Sequence, residues 1–335
     1  MTFAGDIMAH SVNFTMKDYN RIYSDVGTFL HSDDLTFGNL ETPITDILPC
    51  STYPRFNVHH SYLHAAIDGG FDVFSLANNH SNDQDNAGIY GTLNAINSLP
   101  SYIYANGLRI KVEDSITPVV IKKKGWTIVF LAITEILNSH DPSAQLVYYS
   151  PPTTSGRNAL IQRIEEITAE YPNAFFVLAL HTNEPEYVRT VSNSKREWCI
   201  RLAHSGVDVV WAHHPHVMQS WEVCEVAGKN RLFMYSMGNF ISGQRYTANI
   251  ENPEADREYT GDAVLLRVQV EKAPNTGTLD TFVVTPIPIT NYRDPDHGMV
   301  VKLHTDTFIE SLPKKLRNYY YKRLELMEEY LPILP

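Results

Sequence analysis

Seven residues of this chain offer the donors that bind and use a divalent cation: Asp6, Glu41, Asn79, His80, His181, His214 and His216. Carboxylate oxygen, amide oxygen and imidazole nitrogen without a thiolate suit Zn, Mn or Fe in a catalytic setting better than a closed structural zinc site. One carboxylate set between two ions would bridge them. Paired ions clamp a phosphoryl oxygen and lower the pKa of a water molecule, which produces a nucleophile near neutral pH. The densest cluster is His213-His214-Pro215-His216, whose three imidazoles in four residues cost solvation if buried without partners. Taken singly, the other candidates have plain alternatives. Asp6 suits a turn or a helix N-cap, residues 38–43 suit turn chemistry closed by Pro43, Asn78-Asn79-His80 suits a left-handed loop, and His181 suits a satisfied interior histidine.

The elements around these residues give them a common location. Short β-rich runs at 35–37, 71–77, 126–133, 174–180, 207–211 and 232–235 end in polar clusters, and a looser alternation follows at 221–226. Helical periodicity marks 87–99 through Ile89, Leu93 and Ile96, then 157–171 and 195–204. Each candidate cluster follows the carboxyl end of a predicted strand, the edge of an α/β sheet where loops converge and ligands bind. Beyond residue 245, runs at 263–270 and 281–289 alternate as antiparallel strands do, and 306–335 reads as a polar helical tail. The expectation is one domain spanning 1–335, with the later strands completing the sheets and that tail appended.

Composition bounds the partners. With 43% hydrophobic and 19% charged residues the 335-residue chain is ordinary for a folded protein with a sizeable core. A formal net charge of -11 argues against a nucleic-acid face, which needs Lys and Arg along its length. It leaves room for a polyanionic substrate, because bound cations reverse the sign of a site locally. Cys50, Cys199 and Cys224 form no paired motif and read as free thiols, with a single disulfide open if the chain is exported. No apolar run is long enough to span a bilayer, and no signal peptide is visible. The short opening before Gly5-Asp6 leaves two readings of location. The chain is extracytoplasmic and membrane-associated if an upstream anchor was removed, and cytoplasmic otherwise.

Six motifs occur in order: Gly5-Asp6-Ile7-Met8; Gly38-Asn39-Leu40-Glu41-Thr42-Pro43; Ala77-Asn78-Asn79-His80; His181 with Glu184; Gly206 to Val210 running into His214-Pro215-His216-Val217; and Tyr235-Ser236-Met237-Gly238-Asn239-Phe240. Over roughly residues 2 to 245 the chain resembles the bacterial CapA (poly-γ-glutamate capsule synthesis) family, a branch of the calcineurin-like metallophosphoesterases. The resemblance implies an α/β fold, the four-layered αββα sandwich, and one or two divalent ions (Mn, Zn or Fe). It implies Asp6, Glu41, Asn79, His181, His214 and His216 as ligands, with Glu41 in the bridging place. It assigns His80 to catalysis, stabilising the transition state or protonating the leaving group, and leaves His213 outside the ligand set. Position 8 departs from the superfamily's Asp-x-His: Met8 offers a thioether, a poor ligand for a hard cation, and His10 is the candidate to replace it.

Two functions follow from the resemblance. One is a metal-dependent hydrolase acting on a phosphoester or on an amide-containing anionic polymer such as poly-γ-glutamate. The other is a non-catalytic accessory factor that binds the polymer during assembly or export, within a membrane-bound capsule synthesis complex. Asp83 is read as either an orienting partner of a site histidine or a solvated loop acid. The stretch Lys314 to Arg323, with Tyr319, Tyr320 and Tyr321, is read as a solvated helix face.

Overall fold

Runs of apolar residues without polar alternation form strands buried on both faces, and this chain has several. In the computed structural model, which describes residues 1–272 and 279–331, they assemble into two sheets. β1 (Thr2–Ile7), β2 (Thr36–Leu40), β3 (Val73–Ser75) and β4 (Tyr104–Asn106) run parallel in the first. The second sheet holds β5 (Val119–Lys123), β6 (Trp126–Thr134), β7 (Phe175–His181), β8 (Val209–His213), β9 (Trp221–Val226) and β10 (Lys229–Met234). Its order is β5-β6-β7-β8-β10-β9, with β6, β7, β8 and β10 parallel. The chain then returns to the first sheet through β11 (Asn239–Ile241), β12 (Asp262–Lys272), β13 (Leu279–Asp294) and β14 (Gly298–Leu303). The resulting order is β14-β13-β12-β1-β2-β3-β4, with β11 also on β1.

The sheets face each other across an aromatic seam. Trp211 of β8 meets Phe3 at 5.7 Å and Phe37 at 6.0 Å between ring centroids, and Phe37 meets Phe130 at 5.6 Å. Trp211 Nε1 donates to the Ala4 carbonyl at 2.9 Å, so its one polar atom is satisfied in the dry layer. Burying each such ring contributes roughly 1.5–3 kcal/mol. Helix His60–Asp68 covers the outer face of the first sheet through Tyr62, Leu63 and Ala66. Helices Thr154–Glu170 and Asn193–His204 cover the second through Ile164, Ile167, Trp198 and Leu202. The architecture is a four-layered αββα sandwich. Thr153 and Ser192 cap the latter two helices by accepting from the amides of Gly156 and Lys195. Gly5 is required where it stands, since a Cβ there would lie 1.8 Å from the Gly238 carbonyl oxygen.

The C-terminal segment closes over the first sheet. Arg245 is buried and donates to the carbonyls of Glu258, Gly261 and Asn291, to Thr290, to Tyr319 and to Asp262. Asp262 is shared with Arg323 of helix Lys314–Met327, which also donates to the Pro253 carbonyl. Tyr319, Tyr320 and Arg323 are therefore interior. This corrects the reading of 314–323 as a solvated face: only part of it, including Tyr321, is exposed. Residues 332–335 of the expected tail lie outside the described residues. The three cysteines are free, and among the described residues no helix is long and apolar enough to cross a membrane.

Burial would raise the carboxyl pKa of Asp262, but Arg323 and Arg245 outweigh it and hold it below the ordinary value. Its contribution to stability is therefore complete above the unfolded carboxyl value and is lost as pH falls through the lower folded value. Asp262→Asn leaves two buried guanidinium groups without their shared anion. It is expected to lower unfolding free energy by about 3–5 kcal/mol, measured by urea denaturation at neutral pH.

Candidate metal centre

Parallel strands deliver their carboxyl ends to one edge, and the two facing sheets bring both sets of ends together. Asp6 closes the first half of this edge from β1, Glu41 follows β2, and Asn79 and His80 follow β3. His181 and His213 end β7 and β8, and His214 and His216 follow at once. All are buried. Asp6 and Glu41 meet through Asn39, whose Nδ2 donates to Asp6 Oδ1 at 2.8 Å and to Glu41 Oε2 at 3.0 Å.

Two groups of donors converge there. His181 Nε2 lies 2.9 Å from Asn79 Oδ1, 3.2 Å from His214 Nδ1 and 3.8 Å from Glu41 Oε1. On the other side His216 Nδ1 lies 3.1 Å from Asp6 Oδ2 while its Nε2 is 3.6 Å from the same Glu41 Oε1. Glu41, His181 and His214 each present a ligand atom within 4.8 Å of the others, and so do Asp6, Glu41 and His216. Glu41 is common to both groups. Its Oε1 is buried and finds no hydrogen-bond partner among the described residues, and neither does His181 Nδ1. Buried oxygens of this kind are normally satisfied, and one surrounded by imidazoles fits a cation. The residues present thus fit one or two divalent ions.

Electrostatics point the same way. Burial, then the charge of Asp6, drives the Glu41 carboxyl well above its ordinary range. For Asp6, burial acts upward, yet hydrogen bonds to His213 and His216 pull it well below the usual value. Burial and the His216 charge lower His214 to about 4; burial and the His214 charge depress His181 strongly. Both shifts favour the neutral imidazole that binds metal, whereas for His216 burial acts downward but the hydrogen bond to Asp6 and its charge raise the pKa. His214 and His216 hold φ values of +100° and +57°, a strained backbone of about 1–3 kcal/mol per residue that turns both rings into the centre.

His80 stands slightly apart. Its Nδ1 is 2.7 Å from Asp83 Oδ2, and that oxygen also accepts from the Phe56 amide at 2.7 Å. The Phe56 ring meets the imidazole edge-on at 4.7 Å. Asp83 is thus the orienting partner of His80. Asn138 Oδ1 accepts from Asn79 Nδ2 at 3.3 Å, which leaves Asn79 Oδ1 facing His181, and its Nδ2 lies 3.2 Å from His80 Nδ1.

The sequence profile of the bacterial capsule synthesis protein PGA_cap family matches residues 1–244. The chain belongs to this family. Among curated relatives, the capsule biosynthesis protein CapA of Bacillus anthracis is 28% identical over 267 residues, 74% of this chain. The chain spans 60% of that relative's length. The PGA biosynthesis protein CapA of Bacillus subtilis (strain 168) is 25% identical over 295 residues, 86% of this chain and 71% of the relative. The fold matches the solved structure of a novel phosphatase from Mycoplasma pneumoniae, with a TM-score of 0.50 at 14% identity, over 92% of this chain and 96% of that one. The αββα sandwich is the fold shared with that phosphatase, and the six motifs of the sequence lie at its strand ends.

Of the expected ligands, Asp6, Glu41, Asn79, His181, His214 and His216 come together, with His80 beside them. His10 joins none of the ligand groups: its Nδ1 accepts from the Gly243 amide at 3.0 Å and its ring packs against Phe56 at 5.2 Å. Met8 is buried and contributes no oxygen or imidazole donor. His213 approaches Asp6 Oδ1 at 3.3 Å with its ring edge-on to Trp211. Glu184 pairs with buried Lys195 at 2.9 Å and accepts from Ser192, an anchor for the loop after β7. Residues absent from the expected set but in contact with it are Asn39, Asn138 and Asn239, whose Oδ1 lies 3.1 Å from His216 Nδ1; a Glu186 carboxylate oxygen lies within 4.8 Å of donor atoms of His214 and His216. Asn39→Ala removes the one donor shared by Asp6 and Glu41. It should destabilise the chelator-treated protein by about 2–3 kcal/mol, read from urea midpoints with and without the substitution.

Proposed function

We propose that this PGA_cap protein is a metal-dependent hydrolase of capsule polymer metabolism. The observation that carries the reading is Glu41 Oε1, a buried oxygen with no hydrogen-bond partner among the described residues, placed between two donor groups. Glu41, Asn79, His181 and His214 would hold one ion; Asp6, Glu41 and His216 would hold a second. Such ions supply Lewis acidity, polarising a phosphoryl or acyl oxygen and lowering the pKa of water. The protein supplies the rest. Asn39 and Asn138 fix the carboxylate and amide oxygens in place. Asp83 accepts from Nδ1 of His80, and the proton for a leaving group would come from Nε2 of the doubly protonated ring that this carboxylate stabilises. The substrate class is a phosphoester or an amide-linked anionic polymer such as poly-γ-glutamate, in keeping with the family's place in capsule synthesis. The PGA biosynthesis function of the Bacillus subtilis relative supports the polymer.

Elemental analysis of the purified protein is expected to find up to two equivalents of Mn, Zn or Fe. His214→Ala should lose about one equivalent and Glu41→Ala both, since Glu41 stands in both groups. His80→Ala should retain metal while turnover falls by about 10²–10⁴ across phosphoester and γ-glutamyl panels. Metal retained with no turnover on any panel would transfer the chain to the accessory, polymer-binding role. Absence of metal after reconstitution would sink the metalloenzyme reading.

A further inference from the structure

Outside the buried centre, the loop that follows β7 holds one more acidic side chain against it. Glu186 presents a carboxylate oxygen within 4.8 Å of ligand atoms of both His214 and His216, and unlike every other member of the ligand groups it is exposed. Its backbone is held firmly. The Tyr187 amide donates to the Pro215 carbonyl at 2.9 Å, clamping the loop to the turn between those two histidines. Tyr187 itself has a φ of +66°, a left-handed backbone that a non-glycine residue adopts only when its surroundings impose it. On either side, Gln219 Nε2 donates to the Val188 carbonyl at 2.7 Å and Glu184 pairs with Lys195. The loop that carries this solvent-facing carboxylate is held at three points and is a placed segment.

Glu186 also borders a cavity of about 500 Å³ lined with His10, Tyr53, Tyr187, Gln244 and Arg257. It therefore stands between this cavity and the two imidazoles. We propose that Glu186 is a further ligand of the centre, an exposed carboxylate that joins Asp6, Glu41 and His216 from the cavity side on the ion with fewer buried ligands. The inference rests on the centre binding metal. Because it is the only exposed member of the ligand groups among the described residues, Glu186 is the donor that an anion arriving through the cavity would displace. The buried ligands would remain in place.

The test is calorimetric titration of Mn²⁺, and separately Zn²⁺, into the metal-stripped full chain and its Glu186→Gln variant. Glutamine preserves size and polarity but removes the anionic oxygen. Affinity for one equivalent should fall by at least about tenfold, and the other equivalent should be little changed. The thermal midpoint of the stripped variant should match wild type, since the side chain is exposed. Equal affinities in wild type and variant would overturn the assignment while leaving the centre intact. Failure of the wild type to bind either ion would overturn both this assignment and the metal reading beneath it.

Discussion

Two carboxylates, Asp6 and Glu41, sit buried at the ends of neighbouring parallel strands with a single asparagine donating to both. Like charges at this separation in a low-dielectric interior repel strongly, and burial adds a desolvation cost to each. The protein meets part of this cost with imidazoles. His213 and His216 draw Asp6 toward ionisation, while Glu41 stays pushed toward its protonated form with one oxygen unmatched among the described residues. An arrangement that concentrates negative charge and lone pairs around one oxygen is unfavourable by itself and favourable around a cation. The two-sheet architecture makes the arrangement possible: strand ends of the first sheet contribute the carboxylates with Asn79 and His80, and those of the second contribute His181, His214 and His216.

The segment from β11 onward, nearly all of it beyond the family-matched residues 1–244, takes part in this arrangement although it supplies none of its buried ligands. Without β11 and β12, β1 would be an edge strand, with Asp6 at an unpaired end. β11 sets Asn239 beside Asp6 in register, and Asn239 in turn touches His216. Asn291 of β13 holds that strand by donating to the Asn239 and Phe240 carbonyls. Arg245, bonded to the Asn291 carbonyl and to Asp262, ties the same strands to the C-terminal helix. A continuous set of hydrogen bonds thus runs from helix Lys314–Met327 to a candidate ligand, which makes the helix part of the support for the centre.

The legible part of the sequence was the part where local pattern and tertiary role coincide. β6, β7 and β8 are nearly continuous apolar runs, buried on both faces, and they lie within one or two residues of the expected bounds. Helix boundaries were extended by a turn or less at their N-termini. β4, with three residues, and β5, whose last two residues are exposed lysines, have no such pattern. The ligands themselves were legible because strand ends collect them. Asn39, Asn138 and Asn239 were not assigned as site residues because an amide gains its role only from partners far away in sequence, up to 59 residues for Asn138 with Asn79. Tyr319 and Arg323 misled for the same reason: their charge and spacing suit solvent, and only Arg245, Glu258 and Asp262 make burial favourable.

The centre also divides its labour by rigidity. The buried donors stand on or directly after strands of a packed sandwich, where small shifts are resisted by close-packed neighbours. The cavity beside it is lined by residues from separate loops, around Tyr53, Glu186 with Tyr187, Gly243 with Gln244, and Arg257. Loops of this kind change without disturbing the strands that carry them. Under the proposed function, recognition of the substrate would fall to those loops and the chemistry to the strand ends. Glu186 lies where the two meet, on a loop but held to the His214–His216 turn. A movement of this loop would alter the charge beside His214 and His216 and the shape of the cavity together.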